Sequence, residues 1–229
     1  MRAQTVQLRF ETRLSSVEYV SERGWEKATL EHCPAHPKGG CGFARHTAYE
    51  RMEPPGTFVP RWYCPQAHRT FSLLPDCLAS RLPGSLAEVD TVVREVEAAP
   101  SWETAANKLR PDVGLQAALR WLRRRVAAAH AAARSLIGLR PYLFSGCAPT
   151  LTSFASVLQV SFVMIALRGI AEDALLHLPP PLGFGPRPTK RWSRTRAPQQ
   201  DSGADSPPQP RYSSDARSSR ANTEENLDE

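Results

Sequence analysis

Five side chains able to bind a metal ion fall in two short clusters, Cys33-Pro-Ala-His36 with Cys41-Gly42 close behind, and Cys64-Pro-Gln-Ala-His68. A structural site wants four thiolate or imidazole ligands in a tetrahedron, and pairs a few residues apart deliver two ligands from one turn. Whatever fold the chain adopts must therefore bring the two clusters together. The favoured set is Cys33, Cys41, Cys64 and His68, with His36 as the substitute for Cys41. The proline after Cys33 and after Cys64 shapes each turn, and Gly42 permits the backbone turn of a knuckle. Cys77 and Cys147 stand alone and read as small buried hydrophobes. An odd cysteine count mixed with histidines suits a reducing compartment and a metal better than a disulfide framework.

Around these clusters the pattern is extended. Residues 44–52 and 57–63 read as two strands joined by the Pro54-Pro55-Gly56 turn, and residues 1–31 alternate weakly enough for one or two further short strands. Arg61-Trp62-Tyr63 and the run from Arg69 to Pro75 supply the small core that so short a module needs beside its metal. Residues 1–80 are thus expected to form a zinc-ribbon-like β module.

Helical signals begin at Ser85-Leu86-Ala87-Glu88, which has the capping-box form. Leu86, Val89, Val93 and Val96 then share one face, and Pro100 ends the helix. Ser101 is the N-cap of a second helix over 102–109, closed by Pro111 and Gly114. A third helix is expected from Leu115 to about Ile137, with Leu115, Leu119, Leu122 and Val126 as its buried stripe and Gly138 just past its end. Three helices with a short middle member and a long basic last one outline a helix-turn-helix unit over 85–140. Residues 142–178 read as one further helix. From residue 180 to 229 the chain turns to Pro, Ser, Arg, Gln and Asp, a composition that cannot offset its own ordering entropy and predicts a disordered tail. The fold class expected is mainly α with a small N-terminal β module.

The formal charge is +6, which favours polyanionic partners over acidic proteins. Between Lys108 and Arg140 eight basic residues face Asp112 alone. Arg120, Arg123 and Arg124 share a helix face, so bidentate contacts to guanine or phosphate follow naturally, with Lys108 and Arg110 flanking. Trp121 and Arg125 lie on a third face, where the tryptophan is expected to pack against the preceding helices. The N-terminus carries charges inside any apolar run and shows no cleavage site, so the expected compartment is the cytoplasm. Residues 151–167, from Leu151 through Phe154, Val157 and Met164 to Leu167, are interrupted by polar residues and fall short of the ~20 apolar residues a span needs. A buried or partner-facing helix is expected there, with no membrane contact.

The run from Cys33 to Pro75, with Cys-Gly, Arg-His-x-x-Tyr-x-Arg at 45–51, Arg-Trp-Tyr-Cys and Arg-Thr-Phe-Ser-Leu-Leu-Pro, resembles the N-terminal zinc ribbon of bacterial insertion-sequence transposases and their solitary relatives. Ala105-Ala106-x-x-Leu109-Arg110 and the run from Ala118 to Arg124 resemble the helix-turn-helix that follows it. The resemblance covers roughly residues 30–140. It departs at His68, spaced one residue wider where such ribbons carry a cysteine, and at 34–40, which look like an insertion. A downstream acidic nuclease domain is also missing, since Asp173, Asp201, Asp205 and Asp215 are not framed by strand patterns. The resemblance implies a DNA-binding, transposase-like or regulatory protein without its own catalytic domain, using zinc structurally and duplex DNA as partner. Two rivals remain: a protein-interaction module with a solvated basic helix, and a zinc nuclease, which needs Glu50 or Glu53 as general base and lacks a motif around either.

Overall fold

Four strands make one mixed sheet in the order β1-β4-β3-β2, with β1 at Gln4–Phe10, β2 at Ala44–Arg51, β3 at Thr57–Cys64 and β4 at Arg69–Pro75. The computed structural model describes residues 4–185, all of which belong to one compact unit. β1 runs parallel to β4, while β3 is antiparallel to both β4 and β2. The two strands around the 54–56 turn form as the sequence predicts.

This sheet corrects the expectation of a mainly α chain. Val59 of β3 and Leu74 of β4 lie in the same core cluster as the helical residues Val89, Leu136, Phe154 and Leu167, so sheet and helices share one interior. The segment that misled is β4. Phe71, Ser72, Leu73 and Leu74 are all buried, and a strand covered on both faces shows an unbroken run with no period-2 alternation to mark it. Its two faces serve different ends. Phe71 and Leu73 point with Trp62 and Cys64 towards the cysteine-rich loop, whereas Leu74 and Val59 point towards the helices.

The helices are α1 (Ser16–Ser21), α2 (Leu86–Ala98), α3 (Trp102–Leu109), α4 (Leu115–Leu139), α5 (Pro141–Phe144), α6 (Leu151–Leu158) and α7 (Val163–Ile170). α1 falls inside the segment read as strand, where Ser15 and Glu18 close a capping box. The box at Ser85 also forms: Ser85 Oγ accepts from Glu88 N at 3.0 Å and Glu88 accepts from Ser85 N at 2.5 Å. α2, α3 and α4 hold a second small core of Val92, Ala105, Ala106, Ala118, Leu119 and Leu122. Alanines at 105, 106 and 118 let the three axes approach closely. The buried stripe of α4 starts at Leu119, since Leu115 is 40% exposed; the helix continues through Gly138 to Leu139.

The single helix expected over 142–178 is instead three helices followed by a 3-10 turn at Glu172–Ala174. α6 and α7 are bent 73° from one another, with Gln159 in the left-handed region at the end of α6. The break is held by α2. Glu97 accepts the backbone N–H groups of Leu151 and Thr152 at 2.9 and 2.8 Å, and Asp90 accepts that of Met164 at 2.7 Å. Two carboxylates seven residues apart, on one helix face, thus meet the positive N-terminal ends of both helices. Among the described residues no single helix is long and apolar enough to cross a membrane, although the bent pair passes that test jointly.

The chain stays packed beyond residue 180, where disorder was expected to begin: Leu182 and Phe184 are buried in the main core. The remainder of that expectation, residues 186–229, lies outside the described residues.

Candidate metal centre and basic helix

Cys64 closes β3 on the sheet face that carries Trp62 and Phe71. Opposite it, the chain between Leu30 and Phe43 forms two turns. In the first, His36 N donates to Cys33 O at 3.0 Å, which sets both side chains on one side. In the second, Gly39, Gly40 and Gly42 all have positive φ, and the last of these sets Cys41. The result is a group of four donors, Cys33 Sγ, His36 Nδ1, Cys41 Sγ and Cys64 Sγ, all within 4.8 Å of one another, with the three thiols buried. Phe71, Phe43, Leu30 and Val6 surround it.

The local electrostatics favour the thiolate at Cys64. Burial pushes the Cys64 thiol up, but the Ala67 N–H, which donates to Cys64 Sγ at 3.4 Å, together with Cys33, Cys41 and His36, outweighs it and brings the value down to about 7. The Cys41 thiol is raised by burial, with the Phe43 N–H acting in the other direction. Three cysteines and one imidazole form a complete donor set for a metal ion, leaving no open position for a substrate or a catalytic water.

His36 and Cys41 therefore both join Cys33 and Cys64. His68 does not belong to this group. It occupies the left-handed region in the turn between β3 and β4, is exposed, and lies with Nδ1 3.4 Å from Tyr63 Oη. Tyr63 sits one residue before Cys64 and so points to the opposite sheet face, taking His68 with it. The signal for His36 was its Cys-x-x-His spacing, which places two donors on one turn.

Arg120, Arg123 and Arg124 lie exposed on α4 and are joined to no carboxylate among the described residues. Their flanking cations are engaged: Lys108 pairs with Glu95 at 2.5 Å and Arg110 makes a two-pronged contact with Asp112 at 2.9 Å. Arg125 is buried, at 4% exposure. Its guanidinium lies 3.8 Å from the centre of the Trp121 ring, within 3.3 Å of Pro83 O and 3.6 Å of a Glu53 oxygen. Burial lowers its pKa, with Glu53 opposing. Arg125 is thus an anchor of α4, with Glu53 as an ion-pair partner.

No protein-family model matches the chain, and neither does a curated protein or a solved structure.

Proposed function

We propose that the chain is a DNA-binding protein of the transposase-like or regulatory kind, without a catalytic domain of its own. Cys33, His36, Cys41 and Cys64 would hold a structural zinc ion, because soft thiolates with an imidazole in a closed tetrahedral set favour zinc over hard, oxygen-loving cations. Arg120, Arg123 and Arg124 would contact duplex DNA. The observation that carries this reading is the contrast along one helix. Arg125 and the Leu119, Leu122 and Val126 stripe are buried and fix α4, while the three neighbouring arginines stand in solvent without carboxylate partners among the described residues. A merely solvated face usually gains from oppositely charged neighbours three or four residues away, and these arginines have none.

The test is duplex affinity against salt. Each phosphate neutralised contributes a slope of about −0.9 in log K against log salt. Replacing the three arginines with glutamine should lower affinity at every sequence and flatten the slope. A wild-type chain that fails to bind duplex at low salt sinks the proposal.

A second reading, a protein-interaction module, draws on the exposed Val157, Val160, Phe162 and Ile165 around the elbow between α6 and α7. Binding to a protein partner that is insensitive to salt and lost in Phe162→Asp would select it.

A further inference from the structure

We infer that the sheet face opposite the metal centre carries a nucleotide-binding site, in which a nucleobase stacks on Tyr49 and its phosphate is held by Arg61. It does not rest on the reading of α4.

Three observations converge on it. Gln7 of β1 is in register with Ser72 of β4, which is in register with Arg61 of β3, and residues directly opposite in paired strands share a face. In that row Gln7 Oε1, Ser72 Oγ and Arg61 Nε are buried without a hydrogen-bond partner among the described residues, and Ser72 is 0% exposed. Buried polar atoms are almost always partnered. Three orphans side by side, one of them in a fully enclosed hydroxyl, mark a place where a ligand's polar edge is missing. The second observation is the position of Arg61, whose guanidinium lies 4.1 Å from the centre of the Tyr49 ring and pairs with no carboxylate among the described residues. The third is a cleft of about 260 Å³ whose lining includes Gln7 and Tyr49, with Arg51, Met52 and Glu53, and does not include Arg61 or Ser72.

A guanidinium is flat and delocalised, and so is a nucleobase. The ring of Tyr49 that now carries one can carry the other. When Arg61 swings off the ring, it uncovers Ser72 and Gln7. The serine hydroxyl and the glutamine amide each donate and accept, which suits the mixed edge of a base. The displaced guanidinium then has the fork geometry to grip the attached phosphate. The shared chemistry is a base with its phosphate, whether in a free nucleotide or in a single strand.

Titration of the full chain with AMP and with a labelled single-stranded oligoadenylate tests the site. Tyr49→Leu should weaken binding at least about fivefold, the low end of what one base–aromatic stack contributes, while Tyr49→Phe should retain it. Arg61→Gln should weaken it too and remove about 0.7 from the salt slope with the single strand. Binding of both probes identifies free nucleotide as a sufficient ligand, and binding of the oligonucleotide alone identifies a single strand; either supports the site. The triple glutamine variant of Arg120, Arg123 and Arg124 should bind AMP as the wild type does, which separates this site from the duplex reading. Should Tyr49→Leu fail to fold, as circular dichroism would show, Arg61→Gln decides. No binding of either probe, or undiminished affinity in Arg61→Gln, overturns the inference.

Discussion

His36 Nδ1 lies 3.4 Å from Cys64 Sγ, a contact made across 28 residues of chain, and 3.7 Å from Cys33 Sγ. A nitrogen and a sulfur bound to one tetrahedral zinc ion stand ~3.6 Å apart, given metal–ligand distances of ~2.0–2.1 and ~2.3 Å. The protein framework therefore already holds the edges of a coordination polyhedron. His36→Ala should lower the bound-metal content sharply, whereas His68→Ala should leave it at the wild-type value. Equal loss in the two variants, read by metal analysis of the purified chains, would remove His36 from the ligand set.

Stripping the metal should have a bounded structural effect. Structural zinc supplies much of the folding energy of small free-standing domains, but here the sheet also packs through Val59 and Leu74 into the helical core. Chelation should therefore expose residues 30–43 to protease while most helical circular dichroism persists. Collapse of the helical signal on chelation would show that the metal holds the whole unit.

Glu97 and Asp90 stand on one face of α2, yet their pH dependences should have opposite sign. Burial pushes the Glu97 carboxyl up, but hydrogen bonds from His130, Thr152 and Leu151 prevail and take it from 4.5 to about 2. The unfolded chain thus binds this proton first as pH falls. The stability contributed by Glu97 is full above pH 4.5 and is lost as pH drops towards 2. At ~1.4 kcal/mol per tenfold change in proton affinity, Glu97→Gln should cost on the order of 3 kcal/mol near neutrality, and the difference from wild type should shrink in acid. An unfolding midpoint in urea that is unchanged at pH 7 would contradict this.

For Asp90, burial dominates over the Met164 N–H and raises the carboxyl above its ordinary range. Its folded form keeps the proton longer than the unfolded chain does, so its charge becomes a liability as pH rises through that window. Asp90→Asn retains an acceptor for Met164 N and should be neutral or stabilising at pH 7. A loss as large as that of Glu97→Gln would show that the charge itself, acting on the end of α7, outweighs its desolvation.

What could be read from the sequence was what local chemistry decides. The Ser85 capping box, the Pro100 stop, the Ser101 cap and the turn between β2 and β3 each depend on residues within a few positions, and each forms. Three of the four clustered donors were in the favoured set for the same reason. The failures are long-range. Nothing near β1 announces a parallel partner 65 residues away, and a strand buried on both faces hides its period. Spacing alone leaves His36 and Cys41 as alternatives and puts His68 in the set; the left-handed turn at His68, which sends its ring to the far face, is visible only once β3 and β4 are paired. Glu97 sits among solvent-facing charges in a helical projection and is in fact the cap of a helix 54 residues on.

Arg168 is the largest such surprise, because a charge after an apolar run ordinarily marks where burial ends. It is 2% exposed and donates to four backbone carbonyls, those of Asp76, Leu78, Pro181 and Leu182, at 2.7 to 2.9 Å. Burial lowers its pKa, with Asp76 as the main opposing charge. The side chain clamps the segment after β4 to the stretch around residue 181, and so holds Leu182 and Phe184 in the core. Each carbonyl left without a partner costs ~1–3 kcal/mol, so Arg168→Met should destabilise the unit by at least ~3 kcal/mol even though it removes a buried charge. Arg168→Lys should recover little, because a compact ammonium with three donors cannot span acceptors arranged for a planar fork. Urea titration of both variants distinguishes the outcomes: a lysine variant as stable as wild type would mean that the positive charge, and not the fork, is what this part of the core requires.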